Sequence, residues 1–469
     1  MTTARLILII GFLACTLLVY VRRDSLAAMV RAFLSARQCP IGLAIFRILL
    51  FGTLLIIEPA PELYSGQNYD LARTPWPWPH LLPHLPHSLD AMWALKWTLM
   101  GAISCAFVGL FTRTSCVVVF LLGLWAYGLP QFTGKMAHLH HLFWFVALCA
   151  AAPSGDALSL DSLLRRLRGR AANVAHVAYA LPLRIVWILL GIIYFFPGVW
   201  KVWSVGLEWM GSDHMRLLLH EKWDQLGGLG PTTFEPPFRA DHYPMLLIIG
   251  GVGVILFEVG FIFAIWHPVA RATAAFVGLI FHWTNHFFLG ILFWPIWIFY
   301  ATFIPFDRIF SPTPQELAPK SALRLERSVS FTRGVGIILI VGNLAFGIVR
   351  TDGWPFACYP TFNHRPAESK VAIEFDWVEA NGVVTTFRRG EATAAMDHSR
   401  WDVLLQRAGR PGMGTQAELQ RLWTILKREK QLGATVQEVH VYRATRLIDP
   451  DQRSAPPVLR ERLPIDLNP

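Results

Sequence analysis

Apolar runs of near-membrane length recur along the chain, and the polar stretches between them are short. At roughly 20 residues per membrane-crossing helix, ten runs are candidates: 4–21, 41–58, 92–111, 115–131, 137–153, 183–203, 244–266, 270–287, 289–306 and 334–350. The eighth and ninth nearly touch, which reads as a tight hairpin or a broken pair. Two longer polar intervals stand out. Residues 59–90 carry a Pro-Trp-Pro-Trp-Pro-His run, which removes backbone donors and predicts a lid-like or interfacial segment. Residues 204–243 hold Glu208, Asp213, His214 and His220.

After Pro355 the pattern changes. Residues 370–377 alternate apolar and polar, with Val371, Ile373, Phe375 and Trp377 on one side. Asn381-Gly382 is a hairpin signal leading into a second strand at 383–387. Over 415–432, Leu419, Leu422, Trp423 and Leu426 share one helical face, and Gly433 is a stop. Val439, Val441 and Tyr442 predict a last strand, and the Pro- and Arg-rich end reads as disordered. The fold class expected is a polytopic α-helical membrane protein of about eight to ten transmembrane helices with a small C-terminal α+β extramembrane domain. Its units are 1–39 (a transmembrane helix plus an interfacial helix), 40–350 (the helical domain), 351–448 (the α+β domain) and 449–469 (the tail).

Composition agrees with the pattern: 54% of residues are apolar, only 16% are charged, and mean hydropathy is +0.41, too apolar for a soluble globule. The net charge of +10 is not a nucleic-acid footprint, because its arginines cluster in short loops. These are Arg22, Arg23, Arg31 and Arg37; Arg113; Arg165, Arg166, Arg168 and Arg170; Arg271; and Arg308, Lys320, Arg324 and Arg327. Every second loop is basic, so those loops are predicted to be cytoplasmic. The N-terminus and the C-terminal domain then lie on the outer side, the periplasm if the membrane is a bacterial inner membrane. Residues 22–38 read as an interfacial amphipathic helix. Arg22 and Arg23 close the first run and no A-x-A site follows, so that run is predicted to stay uncleaved. Six cysteines form no CxxC pair, so neither a disulfide framework nor a zinc site is legible.

Placing polar residues on the oriented helices brings three clusters to one depth on the outer side. His138, His140 and His141 open the fifth span. Tyr194, Lys201 and Glu208, with Trp209 after them, close the sixth. His282, Asn285 and His286 close the eighth. Ionisable groups converging at membrane depth are candidate functional residues. Arg47, inside the second span, needs a partner, for which Glu58 and Glu258 are candidates. Two chemistries fit. A desolvated Lys201 acts as a base, or pairs with a deprotonated ligand oxygen, inside an aromatic-lined, lipid-facing pocket, or the histidines bind metal as histidine boxes do. The second needs about eight converging histidines, and no metal is expected.

Several stretches together resemble the HTTM superfamily, which contains vitamin K-dependent gamma-glutamyl carboxylase. They are Ala44-Ile-Phe-Arg47, Gly109-Leu-Phe-Thr-Arg113, His140-His-Leu-Phe-Trp, Tyr194-Phe-Phe-Pro-Gly-Val-Trp-Lys201 with Trp209-Met-Gly211, and Phe281-His-Trp-Thr-Asn-His286. The resemblance covers roughly 40–350. It implies that Lys201 deprotonates a reduced quinone (menaquinone or a vitamin K-like hydroquinone), with His141 and His282 beside it. Tyr194, His140, Asn285, His286, Glu208, Trp209 and Arg47 join them as candidate binding residues. Where the carboxylase has an asparagine and a second lysine, this chain has His140 and Trp200, and the outer part is short. The activity implied is therefore a quinone-dependent oxidase or a carboxylase-like lyase, rather than glutamate carboxylation on a propeptide-bearing substrate. Its partners are a membrane lipid or quinone and an exported polypeptide. Two alternatives stand beside it: a non-enzymatic scaffold or maturation factor for a secreted polypeptide, as sporulation-delaying protein B of the same superfamily suggests, and a histidine-box metal-dependent lipid oxidase.

Overall fold

A computed structural model describes residues 3–64, 85–86, 88–132, 139–168, 174–226, 236–310, 319–351, 353–359, 361–388, 398–432, 436–452 and 455–467. Most of the lid-like interval, His138 and Gly433 lie outside the described residues. The chain begins with α1 (Thr3–Val21), which bends by 84° into α2 (Arg23–Leu34). That amphipathic helix seats Phe33 against Trp187 and Trp266, with ring centroids 5.9 and 4.7 Å away. There follow α3 (Pro40–Ile56), α4 (Leu89–Val108), α5 (Thr112–Ala126), α6 (His140–Ala151), α7 (Leu160–Leu167), α8 (Val177–Val205) and α9 (Ser212–Leu226). Then come α10 (Pro244–Ala264), α11 (Pro268–Leu289), α12 (Trp294–Trp297), α13 (Phe306–Ile309) and α14 (Pro319–Val349).

Four of these helices are long and apolar enough to cross a membrane: α4, α8, α10 and residues 322–349 of α14. The bent pair α1–α2 makes a fifth. Helices α3, α5 and α6 are apolar but shorter, with 17, 15 and 12 residues. The ninth predicted run, 289–306, is not a helix. Gly290 stops α11 in the left-handed region (φ 63), Phe293 follows at φ 47, and only the four-residue α12 and a 3-10 turn over Ile298–Phe303 remain. Apolar composition sets what can be buried, whereas Gly290 and Pro295 decide where helix stops.

Helix α8 is the hub. It is buried over most of its length and packs against α3, α10 and α14. Its Gly191 and Gly198, seven residues apart, meet α10. A Cβ on Gly191 would lie 2.9 Å from Ile262 Cγ1, and one on Gly198 would lie 2.9 Å from both Glu258 Cβ and Val259 Cγ2. Small residues at such a seam let the backbones approach closely.

The predicted basic loops meet at one end of the helical domain. Asp161 caps α5, accepting Phe111 N at 3.0 Å and Thr112 N at 2.8 Å. Asp156 accepts Arg165 Nη2 at 3.0 Å, Arg324 Nη1 at 3.0 Å and Tyr179 Oη at 2.8 Å. Arg47 belongs to this end. It donates to Ser154 O at 2.8 Å and Ala157 O at 3.3 Å, because the turn over 154–158 offers carbonyls that a planar guanidinium can fork onto. Neither acid expected for it is its partner: Glu58 pairs with Lys96 at 2.9 Å, and Glu258 is taken by Lys201.

The C-terminal domain is an antiparallel sheet in the order β2-β1-β3-β4. Its strands are β1 (Ser369–Glu379), β2 (Val384–Phe387), β3 (Val436–Leu447) and β4 (Leu459–Arg462). Two helices, α15 (His398–Gly409) and α16 (Gln416–Glu429), are buried against one face. The alternation read from sequence sets that face: Phe375 and Trp377 meet Trp423 with centroids 6.0 and 5.9 Å away. The opposite face of β1 is buried too, by ion pairs. Arg446 Nε reaches Glu374 at 2.8 Å, and Arg460 binds Glu374 at 3.0 Å and Asp376 at 2.7 Å. The C-terminal end, expected to be disordered, thus supplies β4, because its arginines cover buried acids of β1. Helix α15 had no counterpart in the sequence pattern.

The Gly198 seam makes a testable demand. Gly198→Ala should lower thermal stability by about 1–3 kcal/mol through overpacking. Gly250→Ala on α10, where a Cβ meets nothing within 4 Å, should leave it unchanged. Melting curves of the two purified variants decide it, and coincident midpoints would refute the tight seam.

Candidate functional site

The last third of α8 sets the site. Tyr194 and Lys201 are seven residues apart, two turns on one helix face. The helix ends at Val205, with Gly206 at φ 89. Lys201 does not reach out to water: it is 2% exposed. Its ammonium donates to both carboxylate oxygens of Glu258 on α10, with Oε2 at 2.6 Å, and sits 5.2 Å from the centroid of the Trp209 ring. Trp209 is fixed in turn by its indole N–H, which donates to Phe362 O at 2.7 Å. A buried charge pair of this kind is tolerable because each partner satisfies the other.

Two turns earlier, the Tyr194 hydroxyl lies between His282 Nε2 at 2.7 Å and the Tyr300 hydroxyl at 2.6 Å. Tyr300 reaches it because Gly278, one turn before His282, has no side chain; a Cβ there would lie 2.7 Å from Tyr300 Cε2. The other ring nitrogen of His282, Nδ1, is buried without a hydrogen-bond partner among the described residues. His141 is held at both nitrogens: Nε2 is 2.8 Å from Pro295 O and Nδ1 is 3.2 Å from the Tyr359 hydroxyl. His140 is buried beside the rings of Trp354 and Tyr359, 5.0 and 5.8 Å away.

These groups surround one cavity of about 50 Å³, lined in part by Tyr194, Glu258, Phe281, His282, Phe293 and Tyr359. Of the three residues first expected to be catalytic, His282 lines it directly. Lys201 reaches it through Glu258, and His141 through Tyr359. Trp209 seats the lysine. Four other candidates lie elsewhere. Glu208 is exposed and pairs with Arg365. His286 packs on Trp283 and Phe287, both exposed. Asn285 is half-buried and does not line the cavity, and Arg47 belongs to the basic end. Among the described residues, no three His, Cys, Asp or Glu side chains are placed to share a metal ion.

Sequence reasoning missed three residues. Glu258 stands alone in an apolar run, and the cation it meets is Lys201 rather than Arg47. Tyr300 lay in a run read as a span. Tyr359 lies beyond α14, on a connector with no pattern of its own. That connector is built into the helical domain, with the Trp354 indole donating to Leu124 O at 2.7 Å and Trp144 to Pro355 O at 2.7 Å.

A second polar cluster joins the sheet domain to α9. Glu221 accepts from His364 at 2.7 Å and Lys370 at 2.7 Å. Burial pushes its carboxyl up, but those partners outweigh burial and hold it down to about 2. His214, buried beside Trp209, is lowered to about 4 by burial and then by the nearby His364. Both groups bind fewer protons in the docked state, so stability rises with pH where the undocked state is protonated. The His214 contribution is complete above about 6.5 and is lost as pH falls toward about 4. That of Glu221 is complete above about 4.5 and is lost toward about 2. Amide protection factors over 361–370, corrected for the intrinsic pH dependence of exchange, should therefore be about tenfold lower at pH 5 than at pH 7.5. His214→Phe should remove most of that pH dependence; an unchanged profile would contradict the coupling.

The HTTM domain matches residues 37–308, more than half of the chain. The match takes in Lys201, His141, His282, Glu258 and Tyr300, and stops short of Tyr359 and the sheet domain. No curated protein and no solved structure matches the chain. The chain belongs to the HTTM-domain family.

Proposed function

We propose that this is a multi-pass membrane protein that binds a quinone-like lipid in the cavity beside Lys201, His141 and His282 and oxidises its reduced form, acting on an exported substrate. The observation that carries this reading is the convergence of Glu258, His282 and Tyr359 on one cavity walled by Phe281 and Phe293. Aromatic walls with a few placed polar groups suit a planar ring bearing hydroxyls. A cavity of about 50 Å³ holds one or two waters, each of which occupies about 30 Å³ in the liquid. A ring therefore enters only as Phe281 or Phe293 swings aside. The basic end of the helical domain, with its arginines around Asp156, sits in the cytoplasm by the positive-inside rule, and the cavity end and sheet domain face outward. In a bacterium that is the periplasmic face of the inner membrane.

A second reading, a scaffold for a secreted polypeptide, is favoured by a groove of about 560 Å³ in the sheet domain, along 437–440 of β3 and 462–467. Val441 O accepts Leu463 N at 2.9 Å, so strand alternation turns the main chain of Val439 to that same side, toward the groove. An extended peptide fits such an edge.

Two measurements separate the readings. Extracted quinone and menadiol oxidation in air are assayed on purified wild type and Lys201→Ala. The enzymatic reading expects a loss of at least about a hundredfold in turnover, about what an intact acid–base site supplies; equal turnover ends it. Removing 366–469, which keeps Tyr359 and its connector, should spare menadiol oxidation. If it abolishes the cellular function while oxidation persists, the scaffold reading stands.

A further inference from the structure

The resemblance assigns proton abstraction to the lysine, but the geometry points elsewhere: we infer that Glu258 is the catalytic residue that takes the proton from a hydroxyl in the cavity, with Lys201 its positioning partner. The inference deepens the quinone reading and rests on it. Glu258 lines the cavity, whereas Lys201 does not. All that is visible of the amine is turned to the carboxylate and the Trp209 face. An ammonium in such a pair has no lone pair to offer. The carboxylate has lone pairs left after each oxygen accepts from Nζ.

The transfer conserves net charge, as a transfer to a neutral amine would. Before reaction the site holds Lys201 as ammonium, Glu258 as carboxylate and a neutral hydroxyl. As the ligand O–H bond breaks and the Glu258 O–H bond forms, the electron pair stays on the ligand oxygen. The site then holds ammonium, carboxylic acid and ligand anion, and its net charge is unchanged. Removing net charge from water is what makes buried ions costly, and this transfer creates none. The other titratable groups facing Glu258 are Tyr194 on α8, His282 on α11 and Tyr359 on the connector, all lining the same cavity. Tyr194 and His282 are already bonded to each other, and Tyr359 to His141. Glu258 lines the same cavity with its carboxylate already oriented by Lys201.

The test is an anaerobic titration of menadiol into purified full-length protein, with binding read by tryptophan quenching. Ionisation is read by the red-shifted absorbance of the hydroquinone monoanion across a pH series. Wild type should bind and ionise menadiol. Glu258→Gln, which keeps the shape of the side chain, should bind it but form the bound monoanion at least about tenfold more slowly in stopped flow. Lys201→Arg keeps the positive partner but cannot accept a proton, and should still ionise it. If Glu258→Gln ionises menadiol as fast as wild type, the freed amine is the acceptor and the inference falls. Binding without ionisation in Lys201→Arg, with size-exclusion behaviour unchanged, sinks it equally. Wild type that binds menadiol but leaves it neutral also overturns it while sparing the ligand reading. Wild type that binds none removes the ligand reading and the inference together.

Discussion

An ammonium and a carboxylate, both buried, face each other across the seam between α8 and α10. Either alone would be intolerable in such a place, and the pair survives only if the two helices approach closely enough for direct contact. Gly198 makes that approach possible one turn before Lys201, by letting Glu258 lie against bare backbone. Trp209 then closes the remaining side of the ammonium, and is itself fixed by the connector carbonyl of Phe362. Helix packing, charge burial and the connector are thus one arrangement, and disturbing any of the three exposes an unpaired charge.

The same arrangement explains why the cavity sits where it does. It lies beside the break after α11, which stops at Gly290 before the chain bends through Phe293 into α12. Backbone left unpaired by this break is put to use, since Pro295 O fixes one nitrogen of His141. The connector fills what remains, bringing Tyr359 to the other nitrogen. The site is therefore not purely a property of the HTTM match, which ends at residue 308. Part of its wall arrives with the chain that leads to the sheet domain, and that domain is tied to α9 through Glu221, His364 and Lys370.

Hydropathy carried much of the architecture. Runs of apolar residues located the helical domain, and arginines from two of the basic loops meet at Asp156. Alternation at 370–377 gave β1 its buried face, and Leu419, Leu422, Trp423 and Leu426 marked α16. The failures are equally physical. The run at 289–306 was apolar enough for a span, but its glycine and proline break the backbone. The C-terminal end looked unstructured because its order comes from Arg460 meeting acids on β1, a contact about 84 residues distant in sequence.

Lys201, His141 and His282 were legible because a polar group inside apolar sequence is conspicuous wherever it falls. Their partners were not. Glu258 was visible but was read as a candidate partner of Arg47, because composition cannot tell which cation the fold brings to it. Tyr300 and Tyr359 look like any other aromatic residue until the fold turns their hydroxyls inward. The sequence by itself determined an apolar helical domain with a folded α+β appendage, because burial of apolar surface is local to each segment. Only the tertiary structure decided which charges and hydroxyls meet, because a hydrogen bond a few ångströms long depends on helix seams and breaks that no single segment encodes.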